Sequence, residues 1–150
     1  MNAESTDIAF HDLFVQYSDR ATGELFRAHP GDAGLDLFCS EEATIAPGQF
    51  VDVPLGVSVE IPHGYWAMLT GRSSTLRKRG LLVNQGVIDQ GYRGPLFAGC
   101  WNLTDETVVV PRGDRVAQLI LLPLWTGNPV AVLHLNESSR GSSGFGSSGL

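Results

Sequence analysis

Cysteine is scarce in this 150-residue chain: Cys39 and Cys100 are its only two. They stand in neither a metal-binding nor a redox spacing and are expected to be reduced and buried. Long apolar runs are missing as well. The longest, residues 119–124, is six residues with a proline inside it, far below the roughly eighteen that a membrane-spanning helix needs. Basic charge is in short supply, with ten Lys and Arg against sixteen Asp and Glu and a net charge of −6. Such a chain lacks the basic surface on which binding to nucleic acid or to an anionic membrane depends. Residues 1–7 are polar and acidic and do not read as a secretory leader, so the cytoplasm is the expected compartment. The His-x-Glu and Cys-x-x-Cys pair of a zinc deaminase is absent too.

What the chain does contain is enough for a core. With 43% hydrophobic and 17% charged residues, it fits one domain able to bury roughly 68–70% of its unfolded surface without disulfides. The regular segments are short, rich in β-branched residues and divided by glycine and proline. Strands are expected over 8–17, 35–39, 50–54, 57–61, 65–70, 81–83, 96–101, 107–110, 116–122 and 130–135. Val57-Ser58-Val59-Glu60-Ile61 alternates with period two, whereas Leu119-Ile120-Leu121-Leu122 reads as buried on both faces. One helix is expected, over 74–79, with Ser73 or Ser74 as its N-cap. The fold class is all-β: a single domain of sandwich, jelly-roll or barrel type. Residues 1–136 form its body. From 137 to 150, ten of fourteen residues are Gly or Ser, and a flexible C-terminal arm is expected there. Arg140 and Phe145 give that arm one cation and one aromatic face, which suits closure over a ligand having a phosphate and a base.

Several segments bring together residues that carry chemistry. Arg72, Arg77, Lys78 and Arg79 lie within eight positions, a local positive patch that suits a small anionic ligand better than a polymer. Gly71-Arg72-Ser73-Ser74 precedes the expected helix. Backbone N–H groups, two hydroxyls and a guanidinium can converge there on phosphate, or simply make a capped turn. In Val87-Ile88-Asp89-Gln90-Gly91-Tyr92-Arg93-Gly94, Asp89 follows a β-branched pair whose packing would fix its carboxylate. A fixed carboxylate can orient and deprotonate a water; a hairpin turn is the plainer reading. Asp32-Ala33-Gly34-Leu35-Asp36-Leu37 sets Asp36 between leucines. Arg112-Gly113-Asp114-Arg115-Val116-Ala117-Gln118 is a charged hairpin whose Gln118 needs hydrogen-bond partners if buried.

Taken in order, residues 32–37, 71–74, 84–94, 112–118 and 140–149 resemble the five motifs of the trimeric dUTP diphosphatase (dUTPase) family. The resemblance implies a jelly-roll (β-clip) homotrimer with three active sites, each assembled from three chains, that hydrolyses dUTP to dUMP and pyrophosphate. It implies Mg²⁺ held mainly by triphosphate oxygens and water, with no direct protein ligand. Asp89 would activate the attacking water and Asp36 would support the metal–water network. Arg72, Ser73, Ser74 and Gln118 would bind the phosphates. Backbone groups around Asn84, Gly86, Val87 and Ile88 would read uracil, with Phe97 beside the base. Tyr92 would lie against the deoxyribose and exclude a 2′-hydroxyl. In the arm, Arg140 would hold the γ-phosphate, Phe145 would stack on uracil, and Gly146, Ser147 and Ser148 would cover the phosphates. The chain departs from the family pattern in two places. Asn84 lies five residues before Asp89 where six is common, which bears on whether its side chain reaches the base, and Gly71 stands where proline is frequent. Two rivals share the fold. A dCTP deaminase would need a glutamate near Gly99, and a nucleotide-binding regulatory protein would present its partner surface at 8–17 or 76–80.

Overall fold

The structure is a computed structural model and describes residues 11–144. Its elements in chain order are β1 (Phe14–Tyr17), β2 (Gly34–Leu37), β3 (Ala43–Ile45), β4 (Phe50–Glu60), β5 (Tyr65–Gly71), α1 (Ser73–Arg79), β6 (Leu81–Val83), β7 (Gly86–Ile88), β8 (Pro95–Asn102), β9 (Val108–Val110) and β10 (Ala117–Pro123). The strands form two four-stranded sheets, ordered β1-β4-β8-β6 and β2-β10-β5-β7, and a β3-β9 ribbon. The pairings among these strands are antiparallel. Leu37, Val53, Leu55, Leu69, Leu96 and Leu119 belong to one buried cluster fed by both sheets. The chain has the expected all-β fold with one short helix.

Three differences from the sequence reading have clear physical causes. The segments 50–54 and 57–61 form one strand, β4, because burial alternates without interruption from Val53 through Leu55 and Val57 to Val59. The Pro-Leu-Gly stretch is absorbed as a register irregularity between Pro54 and Ser58. Gly56 takes φ +67° there, and a Cβ on it would lie 2.9 Å from the Ser40 Cβ. Leu119 is fully buried, but Ile120, Leu121 and Leu122 are only half-buried, so the apolar run of β10 still has an outer face in one chain. Residues 130–135 form no strand: Val130, Val132, Leu133 and Leu135 are exposed, Leu133 at 96%. Their β-branched and apolar composition is strand-like, yet among the described residues no neighbouring edge receives them. Irregular chain begins at Leu124, well before residue 137.

Helix α1 starts at Ser73, and Arg72 is its N-cap residue, without a side-chain cap bond. Tertiary contacts take over that anchoring. The Thr75 hydroxyl donates to the Val116 carbonyl at 2.8 Å and the Arg72 N–H reaches the same oxygen at 3.2 Å. Gly80 closes the helix in the left-handed region, its N–H donating to the Leu76 carbonyl at 2.9 Å. Cys39 and Cys100 are free and buried, as expected. Burial, then the neighbouring Cys100 and Asp114, pushes the Cys39 thiol up to about 12. Burial and Asp52 push Cys100 up to about 11. Both therefore stay protonated and act as core residues.

Candidate active site

Strand β10 lies between β2 and β5, which aligns Asp36, Gln118 and Thr70 across three strands. Directly opposed residues share a face. Asp36 is only 6% exposed, so its charge must be answered locally. Arg72 Nε meets Oδ1 at 3.1 Å and an Arg115 terminal nitrogen meets Oδ2 at 3.1 Å. A terminal nitrogen of Arg72 also donates to the Arg115 carbonyl at 3.2 Å. The Asp36 N–H donates to the Phe26 carbonyl at 2.9 Å, and Arg115 lies over the Phe26 ring at 5.3 Å. Gln118 finds its partner too: Nε2 donates to the Gly71 carbonyl at 3.0 Å. Glycine at 34 is needed because a Cβ there would overlap Gln118 Oε1.

One carboxylate thus fixes the guanidinium of Arg72, the residue that precedes Ser73 and Ser74 in the chain. Asp36→Ala should leave two cations facing each other over a buried gap. A loss of about 2–3 kcal/mol in chemical denaturation is expected, moderated because both arginines are partly exposed; an unchanged midpoint would show that Asp36 does not organise this cluster.

The neighbouring Asp114 extends the network. Burial works to raise its pKa. The Arg79 hydrogen bond, the Arg115 N–H at 3.0 Å, and the charges of Arg79 and Arg72 outweigh burial and hold the carboxyl below its ordinary 3.8. A carboxyl depressed in the folded state contributes stability that is present above the unfolded value and lost as pH falls through the folded one. Asp114→Asn should therefore be less stable than the parent at neutral pH, with the gap closing below roughly pH 4. A gap independent of pH would contradict this.

The second cluster sits at the far edge of the same sheet. β7 pairs with β5, Gly86 opposite Leu69 and Ile88 opposite Ala67, and Asp89 follows directly. The chain turns at once: the Tyr92 N–H donates to the Asp89 carbonyl at 3.0 Å. Val87, Ile88, Asp89, Tyr92, Pro95, Leu96 and Phe97 line a cleft of ≈ 190 Å³. Asp89 and Val87 are exposed, as are the rings of Tyr92 and Phe97. A carboxylate, an aromatic ring and an apolar wall therefore face one space large enough for part of a nucleoside.

The two clusters do not meet within one chain. Asp36 aligns with Thr70, whereas Asp89 lies beyond Ile88, the partner of Ala67. At about 3.3 Å per residue and about 4.8 Å per strand, they lie roughly 20 Å apart along the sheet. Of the expected uracil readers, Val87, Ile88 and Phe97 line the cleft and Gly86 lies just behind it in β7. Asn84 lies elsewhere. Its N–H donates to the Gly99 carbonyl at 2.7 Å, and it lines a separate apolar recess of ≈ 460 Å³ with Phe50, Leu82 and Trp101. Like Leu82, two residues earlier, Asn84 is exposed. Arg140 closes its own turn, with Nε donating to the Ser143 carbonyl at 2.8 Å. Phe145, Gly146, Ser147 and Ser148 lie outside the described residues.

Arg115 and Phe26 were not legible as part of the Asp36 cluster. No signal in the sequence pointed to Arg115: a carboxylate between two leucines on a strand is expected on the polar face, whereas Asp36 is buried and needs two cations. Nothing marked Phe26, which reaches Asp36 through an isolated bridge.

Known proteins are similar to this chain over most of its length. The deoxyuridine 5′-triphosphate nucleotidohydrolase of Gloeobacter violaceus is 45% identical over 126 residues, covering 81% of this chain and 86% of that relative. The dUTPase of Staphylococcus bacteriophage 80alpha, solved with dUpNHpp, has a TM-score of 0.87 at 31% identity over 93% of this chain and 99% of that one. A mutant dUTPase from phage phi11 of S. aureus, whose structure concerns the coordination of a structural Mg(II) ion, has a TM-score of 0.76 at 29% identity over 82% and 97%. The dUTPase family model matches residues 24–149, and the chain belongs to that family.

Proposed function

We propose that this dUTPase hydrolyses dUTP with Asp89 as the base that activates water, in a site completed between chains. Hydrolysis of dUTP to dUMP and pyrophosphate is the family's reaction, and the chain is a dUTP diphosphatase. The observation that carries the mechanism is Asp89 on the lip of the Val87–Tyr92–Phe97 cleft. A deoxyuridine seated there would bring its innermost phosphate towards the carboxylate. Water loses a proton to Asp89 as its oxygen bonds to the α-phosphorus; the bond from that phosphorus to the bridging oxygen breaks, and pyrophosphate leaves. Tyr92 screens the sugar. Backbone groups of 86–88 read the uracil edge, and rigid backbone beside C5 rejects thymine more strongly than a soft apolar pocket does.

The phosphate chain requires cations and donors that lie roughly 20 Å from Asp89 in the same chain. Arg72, with Ser73, Ser74 and Gln118, is supplied by a neighbouring copy in a homotrimer. The exposed tract of Val130, Val132, Leu133 and Leu135 supports this assembly: it would pair on a neighbour and carry Arg140 and Phe145 to a third chain's side of the site. Asp36 supports the metal–water network through the arginines it holds. Among the described residues no cluster of three His, Cys, Asp or Glu side chains forms a metal cage, and arginines take both oxygens of Asp36. That donor set fits Mg²⁺ ligated by triphosphate oxygens and water. When bound, the ion would neutralise charge along the phosphates. The two free, buried thiols support a cytoplasmic site of action.

Pyrophosphate release measured against dUTP, dCTP, dTTP and UTP tests this reading. Turnover confined largely to dUTP is expected, and comparable turnover of dCTP with ammonia release would overturn it. The structure supports the first outcome. A Cβ on Gly99, where a deaminase would place its glutamate, would lie 2.5 Å from the Phe50 ring.

A further inference from the structure

We propose that Gly94 and the carbonyl of Pro95 are positioning elements for Tyr92 that stiffen the ring screening the sugar, and so set the discrimination between deoxyribo- and ribonucleotides. The inference rests on the reading of Tyr92 as that screen. Tyr92 is 43% exposed, and an exposed tyrosine commonly leaves its hydroxyl to water and samples several rotamers. Here the hydroxyl donates to the Pro95 carbonyl at 3.0 Å. The residue is therefore held at its backbone, by its N–H to Asp89 and its carbonyl to Arg93, and at its hydroxyl to Pro95. The acceptor is anchored as well: Pro95 opens β8 and pairs with Ser58 of β4. The Arg93 side chain bonds to backbone and to Glu60, not to the ring: it donates to the Gln90 carbonyl at 2.8 Å and the Tyr92 carbonyl at 3.2 Å and approaches Glu60 at 3.6 Å.

To reach Pro95, the ring must cross residue 94. A Cβ at Gly94 would overlap the Tyr92 hydroxyl and lie 2.6 Å from Cζ and 3.0 Å from Cε2. Gly94 is not one of the glycines with positive φ, so backbone conformation does not demand glycine here. The ring does. A steric screen against a 2′-hydroxyl is only as selective as its wall is stiff, because a free ring yields by rotating. A ring whose hydroxyl is held over Gly94 cannot rotate without losing its hydrogen bond.

The test is the ratio of kcat/KM for dUTP to that for UTP in the parent, Tyr92→Phe, Gly94→Ala and Tyr92→Ala. A general loss of folding or catalysis lowers both substrates alike and leaves this ratio unmoved. Tyr92→Phe, which removes only the clamp's hydroxyl, and Gly94→Ala, which displaces the ring, should each lower the ratio roughly tenfold, and Tyr92→Ala should lower it further. If Tyr92→Ala relaxes the ratio while either of the other two, folded, keeps the parent value, the clamp is refuted and the screen stands. If Tyr92→Ala itself keeps the parent ratio, the screen fails and the clamp with it. Should Gly94→Ala not fold, Tyr92→Phe decides alone.

Discussion

Asp89→Asn is expected to bind dUTP nearly as the parent does and to lose roughly 10³-fold in kcat, within the usual contribution of a positioned general base. The substitution keeps the size and shape of the side chain, so the turn made by the Tyr92 N–H and the Asp89 carbonyl stays intact and the cleft keeps its form. What disappears is the proton acceptor. Asparagine can still hydrogen-bond a water but cannot take its proton as the oxygen attacks phosphorus. The loss should therefore appear in kcat with KM little altered, the pattern of an interaction made chiefly in the transition state. Single-turnover pyrophosphate release beside equilibrium binding of a non-hydrolysable dUTP analogue separates the two. Near-parent kcat would remove Asp89 as the base. Weak binding with intact chemistry would make it a sugar contact only.

Removal of residues 138–150 is the second large effect. Irregular chain begins at Leu124, and residues 138–144 contribute nothing to the buried cluster, so folding and subunit association should survive. The proposed partners lost are Arg140 for the γ-phosphate and Phe145 for the base, along with the cover that keeps bulk water from the reacting phosphate. Losing one charge-assisted phosphate contact together with closure should lower kcat/KM by roughly 10²-fold or more. Steady-state kinetics and sedimentation on the same sample check both halves. Unchanged activity would reduce the arm to a tether, and dissociation would show that it holds the subunits together.

Much of this was legible in the sequence, for reasons that can be stated residue by residue. Alternating Val and polar residues in β4, the Gly80 stop after α1 and the turn after Asp89 are local signals, and local chemistry decides them. The ordered motifs pointed to the family. What could not be read was set by distant contacts. Three-residue β3 and β7 are too short to carry a period and exist because β9 and β5 receive them. The expected strand at 130–135 has the right residues but no receiving edge among the described residues. Ser73 and Ser74 look like N-caps, yet Thr75 and Arg72 fix the helix through Val116. The Asp36 pairings with Arg72 and Arg115 span 36 and 79 positions, beyond the reach of any spacing rule. The resemblance implied sites assembled from three chains, and the fold sets the Asp36 and Asp89 clusters at opposite edges of one sheet.

That division is the point to test most directly. Asp89→Asn and Arg72→Ala chains, each nearly inactive as a homo-oligomer, can be co-expressed so that mixed assemblies form. If Asp89 of one copy serves Arg72 of another, about a quarter of the sites in a random mixture pair an intact Asp89 with an intact Arg72. Activity should then return to about that fraction of the parent. Mixed assemblies that stay as inactive as either variant alone would mean that both residues act from the same chain, and the shared site would be wrong.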